Sequence, residues 1–554
     1  MNILKNRTTL IAAQLMVLGI VQSCYEDKGN YDYQNLPGAI SISIPETNYS
    51  KGLAQDTLFI KPEVKYSGPE EDLTYEWQYF NASNEDNNLG EFETFAVGKD
   101  LAYKVGIDEV VTGIGTYTFR LAVSNKNLIG DAENTGTNQT YSKTVNLEVG
   151  YDRNYLGLMV LHGNGSESDV GLIEDPLFVP NPSVAVEMNV NPTFYSEFNA
   201  GEKIPGVGHT ISLWGNDLPE GFGSPLNNQT NILVFTDQVG YRLDQQSMIR
   251  ETIDYSFMLP DPSMASNTVE AYEDRSRSTP AKAFVQDGQI FYGDMFSPLR
   301  SEEPYRAAPI IDLVYYSNNS TNVSIGVLGF DEISKAFIYS PRTTGTLLLK
   351  KFPTSFNGFG VDLSDTGANL EYLETRTLFF NTMAVMNDIE SGSKFLLELG
   401  LQRTPLEYSV MGKYDMSALP IVNEIEAYAF GWGDNLNYLA TNQKLYQYFY
   451  NTTNSVEELY SFPPDEQVNM MKIIKEEPEY GGPFESRLFY NSHKLMAVAT
   501  KTGGGKGKLY IFEIDWVTGE LLLVRTYDGT EYDGENFGVI YDVDIKLNTK
   551  TYLY

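Results

Sequence analysis

The sequence predicts an all-β chain: an immunoglobulin-like β-sandwich over residues 39–150, then a β-propeller of about seven blades over residues 151–554. Three observations lead there. Short apolar runs recur between Gly-, Asn- and Asp-rich turns, many alternating with the period of two that a half-buried strand shows. The 38 Tyr and 47 Gly accompany few helical patterns. A chain of 554 residues is too long for one core, and at 42% hydrophobic residues it can bury several.

The sandwich begins after a polar stretch that Pro37-Gly38 closes. Ile40-Ser41-Ile42-Ser43-Ile44 alternates cleanly. Thr57–Ile60 and Pro62–Tyr66 follow. Leu73–Phe80 then sets Tyr75, Trp77 and Tyr79 on one face. A Trp in a mid-domain strand suits the core of an immunoglobulin-like sandwich. Gly115–Asn125 is the strongest strand, and Thr144–Val149 closes the unit.

Beyond residue 150, eight strand or hairpin signals recur at spacings of roughly 40–60 residues, as propeller blades do. They are Tyr155–Leu161, Asn231–Phe235 with Tyr241–Leu243, Lys282–Val285 with Gln289–Tyr292, and Ser324–Leu328 with Lys335–Tyr339. Next come Lys394–Leu399, Asn437–Ala440 with Lys444–Tyr448, Leu495–Ala499 with Lys508–Phe512, and the C-terminal Gly538–Tyr541 and Asn548–Tyr554. If Leu156–Leu161 shares a blade with the C-terminal strands, eight signals become seven blades. The alternative is a row of sandwich domains. Four stretches read as long irregular insertions: roughly residues 176–230, 251–281, 342–392 and 451–487.

Residues 1–23 carry the compartment signal. Lys5 and Arg7 precede an apolar run from Leu10 to Val21 that only Gln14 breaks, and Val21-Gln22-Ser23 leads to Cys24, the only cysteine. The run is shorter than the roughly 18–20 residues of a spanning helix and has the layout of a secretory signal. Ending at a lone Cys, it resembles a bacterial lipoprotein signal, in which the thiol of Cys24 takes a diacylglyceryl group and palmitate-type chains anchor the mature N-terminus. An incidental cysteine beside an ordinary signal is the plainer reading. Residues 24–38 are the expected tether. Glu26 and Asp27 resemble the acidic export signal of Bacteroidetes surface lipoproteins, or form an ordinary solvated tether.

Tyr75-Glu76-Trp77, then Tyr117–Asn125, then a closing strand resemble a PKD domain. With Cys24-Tyr25-Glu26-Asp27-Lys28-Gly29-Asn30-Tyr31 in front, the chain resembles the PKD-like lipoproteins of Bacteroidetes. That resemblance implies an outer-membrane protein facing the cell exterior. It also implies a SusC/SusD-like partner complex built on a TonB-dependent transporter, and a glycan or peptide ligand. It implies no catalytic residues.

The formal charge of −35 repels phosphate backbones and excludes nucleic-acid partners. His162, His209 and His493 stand far apart in sequence, and no zinc, EF-hand or nucleophile-elbow motif occurs, so no metal, cofactor or catalytic residue is assigned. Thr502–Lys508 is Gly-rich but lies between strands, as a hairpin turn does, and Asp528–Glu535 reads as a solvated acidic turn. Met470-Met471 reads as core. Two tryptophans stand out as ligand-binding candidates: Trp214 and Trp432, each followed by Gly and close to Asn or Asp. Either aromatic suits a sugar ring or a peptide side chain, and either equally suits packing under its own loop. A surface glycan hydrolase or lyase is the competing expectation. It needs two carboxylates about 5–10 Å apart. Asp237, Asp287 and Asp331 lie near turns, where Asp is common for turn chemistry alone.

Overall fold

Continuous apolar runs become the strands buried on both faces, and the sheets are built around them. The structure is a computed structural model. It describes residues 40–52, 56–81, 91–106, 108–111, 115–125, 140–150, 155–179, 186–214, 231–244, 248–251, 255–259, 261–264, 269–274, 282–292, 297–298, 300–301, 304–317, 323–340, 348–354, 359–376, 381–403, 406–475, 491–529 and 536–546. The signal segment, Cys24, the tether and the expected strand Asn548–Tyr554 lie outside the described residues.

Two units are present. Over its described residues the first comprises 40–51, Asp56–Val105 and 115–150. Its main sheet has the order Asn48–Gly52, Thr140–Gly150, Gly115–Asn125, Leu73–Asn81, Glu91–Val97. A ladder of Thr57–Ile60 with Leu101–Lys104 packs on this sheet, where Tyr103 meets Phe119 edge-on at 5.7 Å. Trp77 is fully buried, and its indole N–H donates to Lys99 O at 3.3 Å. The unit is a β-sandwich around these aromatics.

The second unit, essentially Tyr151–Tyr554, holds seven sheets among the described residues. Sheet A runs Val539–Lys546, Gly157–Gly163, Glu167–Glu174, Asn189–Asn191. Sheet B is Gly208–Trp214, Asn231–Thr236, Gly240–Asp244. Sheet C is Ala271–Asp274, Lys282–Gln286, Gln289–Tyr292, Ser297–Pro298. Sheet D has Asp312–Ser317, Val323–Asp331, Ala336–Tyr339 and Leu348–Lys351, with Arg300–Ser301 at its edge. Sheet E is Ala368–Thr375, Thr382–Asp388, Lys394–Arg403, Leu406–Asp415. Sheet F is Ile425–Phe430, Asn437–Thr441, Lys444–Phe449, Ser455–Ser461. Sheet G is Glu466–Ile473, Leu495–Thr502, Gly507–Ile514, Leu521–Tyr527.

The first strand of each sheet touches the first strand of the next, and Val539–Lys546 touches both Glu466–Ile473 and Gly208–Trp214. The sheets therefore follow one another in a ring, and sheet A joins the two ends of the unit. The core is correspondingly a series of layers between neighbouring sheets. Phe235, Tyr272 and Phe284 pack between B and C, and Phe330, Phe337 and Met386 between D and E. Phe430 and Tyr448 pack with Val385 between E and F, and Tyr438 with Phe512 between F and G.

Within the described residues, the four stretches expected to be irregular insertions hold regular elements. They contain the helix Phe194–Phe198 and the strands Gly208–Trp214, Ala271–Asp274, Leu348–Lys351, Ala368–Thr375, Ser455–Ser461 and Glu466–Ile473. The cause is visible in the register. The ladder shifts between Gly208 and Thr210, Leu370 and Tyr372, Ile425 and Ala427, and Val468 and Met470. On Val539–Lys546 the shift skips Tyr541. Each bulge inserts one residue and breaks the period-two pattern by which a strand is read.

Candidate functional site

First strands of sheets A, B, C, E and G, with residues 309–311 ahead of sheet D, border an open cavity of roughly 430 Å³ inside the ring, within the size range of small-ligand sites. Sheet B contributes His209, Thr210 and Ser212, and sheet C contributes Glu270 and Tyr272. Tyr372 and Glu374 come from E, Met470, Lys472 and Lys475 from G, and Tyr541, Asp542 and Asp544 from A. Two bulge residues, His209 and Tyr541, are among the lining residues. Met470 and Met471 both border the cavity; Met471 is buried in the layer between sheets F and G, and Met470 is half-buried against the neighbouring core.

Two ion pairs organise the wall. Lys475 Nζ donates to Glu374 Oε1 at 2.6 Å, to Phe430 O at 2.7 Å and to Thr375 O at 3.1 Å. Glu374 Oε2 accepts from Phe430 N–H at 2.7 Å and from the Tyr372 hydroxyl at 2.9 Å. These side chains are only 6% and 11% exposed. A buried pair of this kind holds only when its remaining hydrogen-bonding positions are filled, as they are here. The second pair is Lys472 with Asp542, 2.8 Å apart. Asp542 Oδ2 also accepts from the Thr210 hydroxyl at 2.8 Å and from Ile211 N–H at 3.1 Å. Asp544 Oδ2 accepts from Leu213 N–H at 2.8 Å. Asp312 accepts from Thr375 N–H in the same manner. These acids clamp one sheet to the next. The cavity is thus walled by polar groups that already have partners, with the exposed His209 ring and the 40% exposed Lys472 side chain at its surface.

The three acids near turns do turn work. Asp237 Oδ1 accepts from Val207 N–H at 2.7 Å. Asp287 and Gly288, at φ 52 and 67, form the two-residue turn between the strands Lys282–Gln286 and Gln289–Tyr292. Asp331 is fully buried. Burial works to raise its pKa, but hydrogen bonds from the Ser334 hydroxyl and from the N–H groups of Arg306, Ile333 and Ser334 hold it below the ordinary value. Among the described residues, no three His, Cys, Asp or Glu side chains converge as metal ligands.

Trp214 is the last residue of its strand and pairs with Asn231. Its side chain lies outside the described residues. Trp432 sits in the connection 431–436 between the first two strands of sheet F, half-buried. It meets Trp516 of sheet G edge-on at 5.6 Å and the His493 ring at 6.3 Å. Trp516 belongs to the hairpin between two strands of sheet G, Gly507–Ile514 and Leu521–Tyr527. Only the adjacency of two sheets brings it beside Trp432. The cavity acids and lysines carry one local signal, the Asp542-x-Asp544 spacing that puts two carboxylates on one strand face.

Residues 24–207 match the model of a PKD-like family, covering the first unit and the chain through most of sheet A. No curated protein sequence matches. Among solved structures, a DUF4784 family protein from Bacteroides caccae aligns at 9% identity over 92% of this chain and 100% of its own, with a TM-score of 0.23. The β-propeller domain of Myceliophteria thermophila Cps50 (Swd1) aligns at 10% identity over 56% and 98%, TM-score 0.29. An oligogalacturonate lyase in complex with manganese aligns at 7% identity over 69% and 76%, TM-score 0.26. At these scores the neighbours establish neither fold nor function for this chain, which rest on its own strands and side chains.

Proposed function

We propose that the ring is a seven-bladed β-propeller closed by the C-terminal strand. It is carried with a PKD-like sandwich on a lipoprotein anchored through Cys24 to the outer face of an outer membrane. Its role is that of an accessory, ligand-binding subunit of a TonB-dependent uptake complex for a glycan or peptide. The signal ending at Cys24, the acids Glu26 and Asp27, and the PKD-like match over residues 24–207 support the location. The observation that carries binding over catalysis is the engagement of the cavity acids. Glu374 is held by Lys475, Tyr372 and Phe430 N–H, and Asp542 by Lys472, Thr210 and Ile211 N–H. A glycosidase instead keeps one carboxyl group ready to give up a proton and another ready to attack.

The test is recovery of the native protein from solubilised outer membranes, with co-purifying chains identified by mass. A TonB-dependent transporter and a SusD-like lipoprotein are expected, and Cys24→Ser is expected to release the chain from the membrane fraction. A chain that purifies alone overturns the complex.

A further inference from the structure

Of the four tryptophans, Trp77 is wholly inside the sandwich, whereas Trp432 and Trp516 meet at the surface of the ring with their planes at 71°. Trp516 is 40% exposed and its neighbour Val517 is 81% exposed. Core packing would bury both. Instead, the fold braces the two loops from beneath. The buried Gln447 amide donates to Asn435 O at 2.8 Å and to Thr518 O at 2.7 Å, joining the connection 431–436 to the hairpin 515–520. Tyr438 hydroxyl donates to Gly519 O at 3.0 Å, and Asn435 Nδ2 to Val517 O at 3.2 Å. From sheet E, Arg376 donates to Asp434 at 2.9 Å. Side chains from sheets E and F thus hold two aromatic rings in fixed relation at a wet surface, as a preorganised binding platform requires.

The geometry points to a neutral glycan as the occupant of the Trp432–Trp516 platform. This deepens the ligand-binding reading above and rests on it. The exposed indole offers an apolar face to the C–H face of a pyranose. The Lys494 ammonium lies over the Trp516 ring, 5.9 Å from its centroid, and is a donor for the hydroxyls of a sugar held there. An extended peptide needs backbone partners. Here the carbonyls of Asn435, Val517, Thr518 and Gly519 already accept hydrogen bonds, and the N–H groups of Val517 and Thr518 donate to Asp515 at 2.8 and 2.9 Å. A chain of formal charge −35 repels polyuronates and sulfated glycans, leaving neutral ones.

The full chain in detergent is run on native gels containing yeast mannan, laminarin, xyloglucan or arabinoxylan, with polygalacturonate and a casein hydrolysate as competing classes. Retardation by at least one neutral polysaccharide is expected. Trp516→Ala is expected to weaken it roughly tenfold without lowering the thermal midpoint, and Trp516→Phe to restore part of it. Binding that no neutral polysaccharide shows, binding untouched by both Trp516→Ala and Trp432→Ala, or binding only to polygalacturonate or peptides overturns the proposal. Co-purification of a transporter is scored separately with the wild-type chain. Retardation without a transporter removes only the complex, and a transporter without retardation removes only the glycan site.

Discussion

His162 and Asp169 are partners across the strands Gly157–Gly163 and Glu167–Glu174. Both are buried. His162 Nε2 lies 2.7 Å from Pro192 O, and Nδ1 accepts from Gly538 N–H at 3.0 Å, which makes the ring neutral with its proton on Nε2. Burial pushes His162 down to about 4. Burial pushes Asp169 up to about 6, against hydrogen bonds from the Ser196 hydroxyl and the N–H groups of Ser196 and Val170. The two act oppositely on stability. His162, whose folded value lies below its unfolded one, loses stability as pH falls from 6.5 towards 4. Asp169, raised in the fold, contributes stability below 3.8 that is lost as pH rises through about 6. Each effect is on the order of 3 kcal/mol, and between pH 4 and 6 they offset one another. Asp169→Asn keeps the acceptor and the Ser196 bond, so it is expected to leave a clear loss of stability on acidification. His162→Gln is expected to give the reverse slope. Denaturant unfolding at pH 4, 5, 6 and 7 checks both, and slopes equal to wild type in both variants would sink the assignment.

At the scale of the element, the hairpin 515–520 depends on Gly519. Its φ is +80, and a Cβ there would lie 2.1 Å from Gln447 Nε2 and 2.4 Å from Asn435 O. Gly519→Ala is expected to cost about 2 kcal/mol and to loosen the Trp432–Trp516 contact, read as a weakened near-ultraviolet circular dichroism signal. Gly503 lies in the turn before Gly507–Ile514 with nothing within 4 Å of its Cβ position, and Gly503→Ala serves as the neutral comparison. If the two variants behave alike, the close packing of the hairpin is not what holds the aromatic pair. Thr502–Lys508, read from sequence as a hairpin turn, joins two strands of sheet G.

For the whole second unit, the strand Val539–Lys546 decides whether the ring is joined. It pairs with Gly157–Gly163 and hands Asp542 and Asp544 to the backbone of sheet B. Asp542→Ala removes the acceptor of the Lys472 ammonium, the Thr210 hydroxyl and Ile211 N–H together, and is expected to cost about 3 kcal/mol. Asp544→Ala removes the acceptor of two N–H groups, Leu213 and Ile545, and is expected to cost about 1 kcal/mol. Hydrogen exchange followed by mass is expected to show lost protection in sheets A, B and G together for Asp542→Ala. Loss confined to sheet A would contradict the clamp.

Much of this architecture is written locally. Leu158–Leu161, Ile232–Phe235, Phe284–Val285, Tyr438–Ala440 and Met496–Ala499 are apolar without a break because both faces of their strands are covered, and such runs are legible in a single chain. Trp77 is legible for the same reason, and the chemistry expected of Cys24 belongs to its local sequence alone. Apart from the start of Val539–Lys546, read as Gly538–Tyr541, the first strands were not legible. Bulges at His209, Glu371, Glu426, Asn469 and Tyr541 interrupt their alternation, and their polar residues serve a cavity wall and inter-sheet clamps rather than a simple exposed face. Glu374 meets Lys475 across 101 residues, and Trp432 meets Trp516 only because sheets F and G are neighbours. Burial leaves a periodic mark on the residues that are buried, so the sequence by itself determined the all-β class and the central strands. A pairing between distant side chains leaves no such mark on either one, so the cavity, its ion pairs and the aromatic platform were decided by the tertiary structure.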